Sequence, residues 1–312
     1  MVLAGATVNG QTITTQTFGS GANQFSIDFV EIGNTNNQPD SNGSPNMAGS
    51  VGYIFNLGKF EISRQILEKA NAETGLGISL ADLSNFGGNN PDRPASGVSW
   101  FTAARFVNYL NTTQGFSPAY NFTGSYAGPR NPAGFSLWAE GQNGFNPNNQ
   151  YRNSQAKFFL PSTDEWYKGA YGVSSGLWYA YPSSGQPPRP VFSGTEVGTA
   201  VYGQTTETGP ADVNQAGDVS GWGAMGMAGN VWEWTESAFD GENNSPQEKR
   251  EYRGGAWNFL GESYISNAGR LASDPDGSQI VLGFRVAMIP EPSSLSLLLA
   301  GGAVLMAGRR RK

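Results

Sequence analysis

The chain has 312 residues, which is enough for one large domain or two small ones. With 43 Gly, 18 Pro, 12% aromatic and only 14% charged residues, the composition favours a loop-rich globular domain and excludes general disorder. The net charge is −6, and four of the 19 basic residues lie at 309–312. The rest of the chain therefore has 15 basic residues against 25 acidic residues in all, which argues against nucleic acid as a partner.

The sequence contains no Cys and no His. This excludes disulfides, thiolate nucleophiles, Cys/His zinc sites, His-ligated iron or copper, and acid–base pairs that use His. Carboxylates, Lys, Tyr and hydroxyl groups remain available for catalysis. We therefore expect no copper, iron or zinc cofactor.

Residues 1–20 are predicted to form an N-terminal segment that begins with the remnant of a signal peptide. The start, Met-Val-Leu-Ala-Gly-Ala-Thr, has neither a basic n-region nor a complete apolar h-region, so we expect the true start to lie upstream. Two later segments, 19–46 and 131–153, are rich in Gly, Asn, Ser and Pro and are predicted to be long loops.

Three helices are predicted from their start signals and the spacing of their apolar residues. The first runs from about Ser63 to Ala72, and the second starts at Ser99. The third starts at Ser162, three residues before Glu165, which is the spacing of a capping box. No fixed period repeats along the chain, so a solenoid or propeller is not expected.

The C-terminus carries a membrane signal. Pro290, Glu291 and Pro292 are followed by an apolar stretch over 294–308 and a basic end over 309–312. A helix of this stretch would be roughly 22 Å long, short of the roughly 30 Å hydrocarbon core, so we predict one short transmembrane helix. The terminal bases would stay in the cytoplasm.

The segment 290–312 resembles the bacterial PEP-CTERM sorting signal, which exosortase recognises and cleaves. The resemblance implies that the protein is exported, with exosortase as a partner in tail processing. It also implies a place in the cell envelope or outside the cell, with a transient or retained C-terminal membrane span.

Six blocks resemble, in order, motifs of the formylglycine-generating enzyme (sulfatase-modifying factor) superfamily. They are Lys59–Arg64 (KFEISR), Pro94–Trp100 (PASGVSW), Phe159–Trp166 (FLPSTDEW), Gly229–Trp234 (GNVWEW), Tyr252–Trp257 (YRGGAW) and Gly283–Arg285 (GFR). The resemblance implies an α+β domain over 21–289 with the family's loop-rich variant of the C-type lectin fold. The Trp residues of these blocks are expected to pack in the core.

The residues that carry the family's known chemistry are missing. Formylglycine-generating enzymes hold copper with two Cys, and the resemblance places Phe259 and Tyr264 at those positions, neither of which is a ligand for copper(I). Related iron-dependent sulfoxide synthases use a cluster of His, which this chain lacks. We assign no catalytic residue.

The resemblance also implies a structural calcium site. In the family's enzymes the G-N-V-W-E-W block wraps the ion. In this chain the implied ligands are the carbonyls of Met227, Gly229 and Val231 and the carboxylate of Glu233. The enzymes have a further Asn ligand, and Gly226 stands at that position. The alternative is that Glu233 caps N–H groups of the loop without a metal.

A ligand surface is implied by four residues of the block that builds the pocket floor in the enzymes: Arg253, Trp257, Asn258 and Arg270. The alternative is that these residues serve only their own fold. Fold alone does not establish chemistry, so the arrangement of these residues must decide between a ligand surface and a purely structural role.

Three function hypotheses remain open. The leading one is an exported, non-catalytic, lectin-like module that binds a polysaccharide or a surface protein. The second is an enzyme, either metal- and oxygen-dependent with a rebuilt site or a hydrolase that uses carboxylates and Tyr. The third is a structural protein of the envelope or a biofilm.

Overall fold

The computed structural model describes residues 6–8, 11–124 and 134–290. The first sheet of this part of the chain has six strands in the order β1-β2-β3-β4-β14-β7, and all its neighbours are antiparallel. Its strands are β1 (Ala6–Val8), β2 (Gln11–Phe18), β3 (Phe25–Ile32), β4 (Phe55–Gly58), β7 (Phe158–Phe159) and β14 (Ala287–Met288).

A second sheet of four strands has the order β12-β11-β10-β13, in which only β10 and β13 run parallel. Its strands are β10 (Trp232–Ala238), β11 (Arg250–Arg253), β12 (Leu271–Ser273) and β13 (Leu282–Phe284). Two further pairs of short strands lie in the described ranges: β5 (Asn121–Phe122) with β6 (Phe135–Ser136), and β8 (Arg189–Pro190) with β9 (Thr199–Ala200).

All three predicted helix starts are confirmed. The helices are α1 (Arg64–Thr74), α2 (Trp100–Thr113) and α3 (Thr163–Tyr171). The hydroxyls of Ser63 and Ser99 each accept a hydrogen bond from a backbone N–H of the first turn, as N-cap residues do. Ser162 and Glu165 form the complete capping box at the start of α3.

The prediction of a loop over 19–46 is wrong for its central part, which is strand β3. Its apolar residues alternate with polar ones, and Phe25, Ile27 and Phe29 are buried while Ser26 is exposed. The Gly- and Asn-rich sequence on both sides concealed this pattern.

Strand β2 lies before residue 21, where the domain is predicted to begin, and packs against that domain. Strand β2 pairs with β3 along its length, with Ile13 opposite Val30 and Phe18 opposite Phe25. Phe18 is buried in the same core as Phe25. Residues 11–18 are therefore an integral strand of the domain.

The predicted sorting tail lies almost wholly outside the described residues. Pro290 is the last described residue, whereas Glu291, Pro292, the apolar stretch 294–308 and the basic end 309–312 follow it. Within the described ranges, no helix is long and apolar enough to cross a membrane.

Large aromatic side chains fill the core, as predicted for the Trp residues of the family motifs. Trp166, Trp232, Trp234 and Trp257 are all at most 1% exposed. The Trp234 indole N–H donates to the carbonyl of Val98 at 2.9 Å. This bond ties β10 to the segment that leads into α2, so the second sheet has a fixed position against the helix.

Candidate functional site

The positions at which the resemblance places two Cys are occupied by an aromatic cluster, formed by Trp232, Phe259 and Tyr264. The ring centroids lie 5.5 Å apart for Trp232 and Phe259, 5.9 Å for Trp232 and Tyr264, and 5.2 Å for Phe259 and Tyr264. All three pairs are edge-to-face, which is a favourable geometry for aromatic rings. The cluster fills this place with side chains that do not coordinate copper(I).

A tight turn after β11 brings the cluster together. Gly254 and Gly255 both have positive φ, at 98° and 80°. A Cβ on Gly255 would lie only 2.5 Å from the side chain of Ile265, so the close approach of the 3₁₀ helix Glu262–Ile265 requires a glycine. This approach places Tyr264 against Trp232 at the start of β10.

Glu233, the predicted calcium carboxylate, lies in a buried ion pair. Its Oε2 accepts hydrogen bonds from Nε of Arg285 at 2.5 Å and from the indole N–H of Trp166 at 2.7 Å. Its Oε1 accepts a further bond from Nη2 of Arg285. Glu233 and Arg285 are both fully buried. The partners of Glu233 are thus the side chains of Trp166 in α3 and of Arg285 directly after β13, whereas the metal-free alternative expected N–H groups of the loop.

A second buried carboxylate, Glu61, enters the loop that was predicted to wrap calcium. Its Oε2 accepts from Nδ2 of Asn230 at 2.5 Å, and its Oε1 accepts from the backbone N–H of Val231 at 3.2 Å. A Cβ on Gly226 would lie 3.2 Å from this carboxyl group, so the glycine leaves room for it. Burial and the neighbouring Glu233 carboxylate raise the pKa of Glu61 well above its ordinary value, although Arg285 acts in the opposite direction.

The predicted calcium ligands do not fit a calcium ion in this arrangement. Both oxygens of Glu233 are engaged, and the guanidinium of Arg285 lies where a dication would be repelled. Arg285 also donates to the carbonyl of Met225 at 2.9 Å. In the described part of the chain, no group of three or more His, Cys, Asp or Glu side chains is arranged to hold a metal.

We expect the metal-free protein to unfold at the same temperature with and without added calcium. An ion that binds only the folded state would raise the midpoint once its concentration exceeds its dissociation constant. Differential scanning calorimetry in EDTA and in millimolar calcium measures the difference. A midpoint that rises steadily with the calcium concentration would restore the calcium hypothesis for Met227, Gly229, Val231 and Glu233.

The raised pKa of Glu61 leads to a prediction on pH. The folded protein holds the proton of the Glu61 carboxyl group more tightly than the unfolded chain does. The contribution of this proton to the free energy of unfolding therefore falls as the pH rises from about 4.5 through the pKa that Glu61 has in the folded protein. Glu61→Gln stays neutral, so its stability relative to the wild type should increase between about pH 5 and about pH 8. Urea unfolding at both pH values measures this, with the exposed Glu207→Gln as the control. Parallel changes in all three proteins would contradict the prediction.

The predicted ligand surface is not a continuous exposed surface. Arg253 and Trp257 are fully buried, and Nε of Arg253 donates to Oε1 of Glu251 at 2.5 Å. Arg270 pairs with the other oxygen of Glu251 at 2.6 Å, and only Asn258 and Arg270 are partly exposed. Whether this block binds a ligand stays a prediction, but Arg253 and Trp257 serve the fold.

An open groove lies beside the aromatic cluster and was missed by sequence reasoning. This 189–204 groove has a volume of about 340 Å³ and is lined by residues of β8, β9 and their connection, together with Gln204. The backbone N–H groups of Gly203 and Gln204 donate to the carbonyls of Phe259 and Trp257, at 2.9 and 2.7 Å. The groove is therefore joined directly to the segment that holds the cluster.

A larger depression of about 410 Å³ lies between α1 and α2, where Thr74, Asn108 and Phe122 contribute to its walls. We take the 189–204 groove as the candidate functional site, because the backbone hydrogen bonds of Gly203 and Gln204 join it to the segment of the aromatic cluster.

Comparison with known sequences gives a family match over most of the chain. A family model described as sulfatase-modifying factor enzyme 1-like domain matches residues 22–289. The curated protein "Inactive C-alpha-formylglycine-generating enzyme 2" of Bos taurus is 29% identical over 135 residues, which is 41% of this chain and 43% of that protein. Its counterpart of Mus musculus is also 29% identical and is covered over 42% of its length. The matched region is thus less than half of each relative.

Comparison with solved structures shows the same fold. Treponema denticola variable protein 1 has a TM-score of 0.59 at 18% identity, with 88% of this chain and 99% of that chain covered. CarF has a TM-score of 0.55 at 19% identity, covering 85% and 99%, and PvdO from Pseudomonas aeruginosa has 0.53 at 14% identity, covering 88% and 98%. At these identities the likeness concerns the fold alone.

Proposed function

The chain belongs to the sulfatase-modifying factor enzyme 1-like domain family, and we propose that it is a non-catalytic, lectin-like binding module of that family. The aromatic cluster of Trp232, Phe259 and Tyr264 carries this proposal. It stands where the family resemblance places the two copper-binding Cys, and its rings pack against one another. A site filled in this way has lost the oxidative chemistry but has kept the scaffold around it.

Two further observations support a non-catalytic role. The whole sequence has no Cys and no His, so neither a copper–thiolate centre nor a His-ligated iron can be built from it. The curated relatives from Bos taurus and Mus musculus are themselves described as inactive. The conclusion does not rest on the fold, which active and inactive members can share.

The proposal includes export and a partner outside the cytoplasm. The Pro290-Glu291-Pro292 motif, the apolar stretch and the four terminal bases support sorting by exosortase into the envelope or the extracellular space. The partner is a surface polysaccharide or a surface protein.

Binding of the purified full-length chain to a glycan array, and pull-down from an envelope extract, test the proposal. We expect saturable binding of at least one glycan or one surface protein. Absence of any saturable ligand in both assays would contradict it.

A further inference from the structure

We propose that the 189–204 groove is the binding site of this module and that it takes a segment of an uncharged polysaccharide. This inference rests on the proposed function, because it names the place and the ligand class of that binding. Four properties of the groove support it: its shape, its lining, its rigidity and its charge.

The lining combines apolar and hydrogen-bonding side chains. The groove volume of about 340 Å³ lies within the range of small-molecule sites. The polar side chains of the lining are Arg189, Ser193, Glu196, Thr199 and Gln204. A pyranose ring has apolar C–H faces and a rim of hydroxyls, so a mixed lining of this kind matches both parts of a sugar.

Phe192 provides an exposed aromatic face in the groove. It is 67% exposed and lines the groove. Aromatic rings at interaction sites supply a large contact area at a low cost in conformational entropy. A sugar ring that stacks on Phe192 would bury surface that is left in water by the fold.

The apolar face continues from the groove to Leu260, which is 82% exposed. A Cβ on Gly203 would lie 3.9 Å from Cβ of Pro190 and 4.0 Å from Cδ2 of Leu260. The glycine thus joins the groove to Leu260 without a side chain that would divide them. Several exposed apolar side chains in one place indicate an interaction site.

Backbone hydrogen bonds hold the walls of the groove in place. The N–H groups of Arg189 and Val191 donate to the carbonyls of Gly198 and Ala200, at 2.7 and 2.9 Å. The Tyr202 hydroxyl donates to the carbonyl of Pro188 at 2.7 Å. A groove that is formed before the ligand arrives loses less entropy on binding.

The charges favour a neutral ligand over a polyanion. Arg189 and Glu196 form an exposed ion pair at 2.6 Å, so the groove has no net charge from its lining side chains. Acidic residues outnumber basic ones by 25 to 19 in the chain as a whole, which repels polyanionic polysaccharides at long range. Neutral glycans meet no such barrier.

Isothermal titration of the full-length chain tests the inference, with cellohexaose, maltohexaose and mannohexaose as neutral probes and polygalacturonate as the anionic one. We expect at least one neutral probe to bind. Phe192→Ala should weaken this binding at least about fivefold, as expected for loss of a stacked ring. Gln204→Ala should weaken it as well. Leu177→Ala, at a residue that is 63% exposed outside the groove, should bind like the wild type.

The outcomes separate this inference from the proposed function. If a neutral glycan binds and Phe192→Ala and Gln204→Ala bind it like the wild type, the groove assignment is wrong and the binding function stands. If only polygalacturonate or a protein binds, the assigned ligand class is wrong. If nothing binds here or on the array and in the pull-down, the proposed function fails as well.

Discussion

Replacing Arg285 with Met is expected to lower the free energy of unfolding by about 3–5 kcal/mol. The guanidinium is fully buried and donates to both carboxylate oxygens of Glu233 and to the carbonyls of Gly58 and Met225. Its removal leaves the Glu233 carboxylate unpaired beside the buried Glu61, and an uncompensated buried charge is costly. Urea or guanidinium denaturation of wild type and variant gives the difference.

Arg189→Met is the matched control, because it removes the same guanidinium from an exposed ion pair. The side chains of Arg189 and Glu196 are 62% and 77% exposed, so water and salt screen their attraction. We expect a change below about 1 kcal/mol. Equal effects of the two substitutions would show that the Arg285 pair is not buried as the structure has it.

Replacing Trp232 with Ala is expected to lower the free energy of unfolding by about 3–5 kcal/mol. Trp232 is 1% exposed, and its ring contacts those of Phe259, Tyr264 and Tyr252, the last with a centroid distance of 5.3 Å. The substitution leaves a cavity at the centre of the aromatic cluster, which its neighbours can fill only in part. The same denaturation series measures the loss.

Leu260→Ala serves as the control for the cluster, since Leu260 follows Phe259 directly but is 82% exposed. A surface substitution of this kind should change the stability by less than about 0.5 kcal/mol. If Trp232→Ala were as mild as Leu260→Ala, the cluster would not be a packed unit. The three rings would then not fill the place where the resemblance puts the two Cys.

The helix starts could be predicted from sequence because their signals are local. At Ser63, Ser99 and Ser162 the signal is a Ser that accepts a hydrogen bond from the first turn and is followed by apolar residues at helical spacing. All the residues that form this signal are close together in the sequence. Strand β3 was missed because its pairing partners, β2 and β4, are set by tertiary contacts. Its flanking Gly and Asn residues gave a stronger local signal for loop.

The loss of the copper ligands could also be predicted, because it needs only the residue types at two aligned positions. The edge-to-face packing of Phe259 and Tyr264 on Trp232 could not, since Trp232 is distant in sequence from both. Glu61 was missed for the same reason. Its neighbours Phe60 and Ile62 were a sign of burial, but Asn230 and Val231, which bind it, follow much later in the chain.

The candidate site was the least predictable part. The groove is formed by two short strands, and its connection to Phe259 and Trp257 consists of backbone hydrogen bonds that no side-chain motif encodes. Arg253 and Trp257 were assigned to a ligand surface by resemblance, whereas both are fully buried in this protein.

The central claim is that the scaffold has kept the fold and lost the metal chemistry. The most direct test is to incubate the purified full-length protein with copper(I) and a reductant. Its copper content is then measured by mass spectrometry of the metal. We predict no stoichiometric copper, since Phe259 and Tyr264 stand where two thiolates are required. One copper ion per chain, retained after dialysis, would contradict the account and favour an enzyme with a rebuilt site.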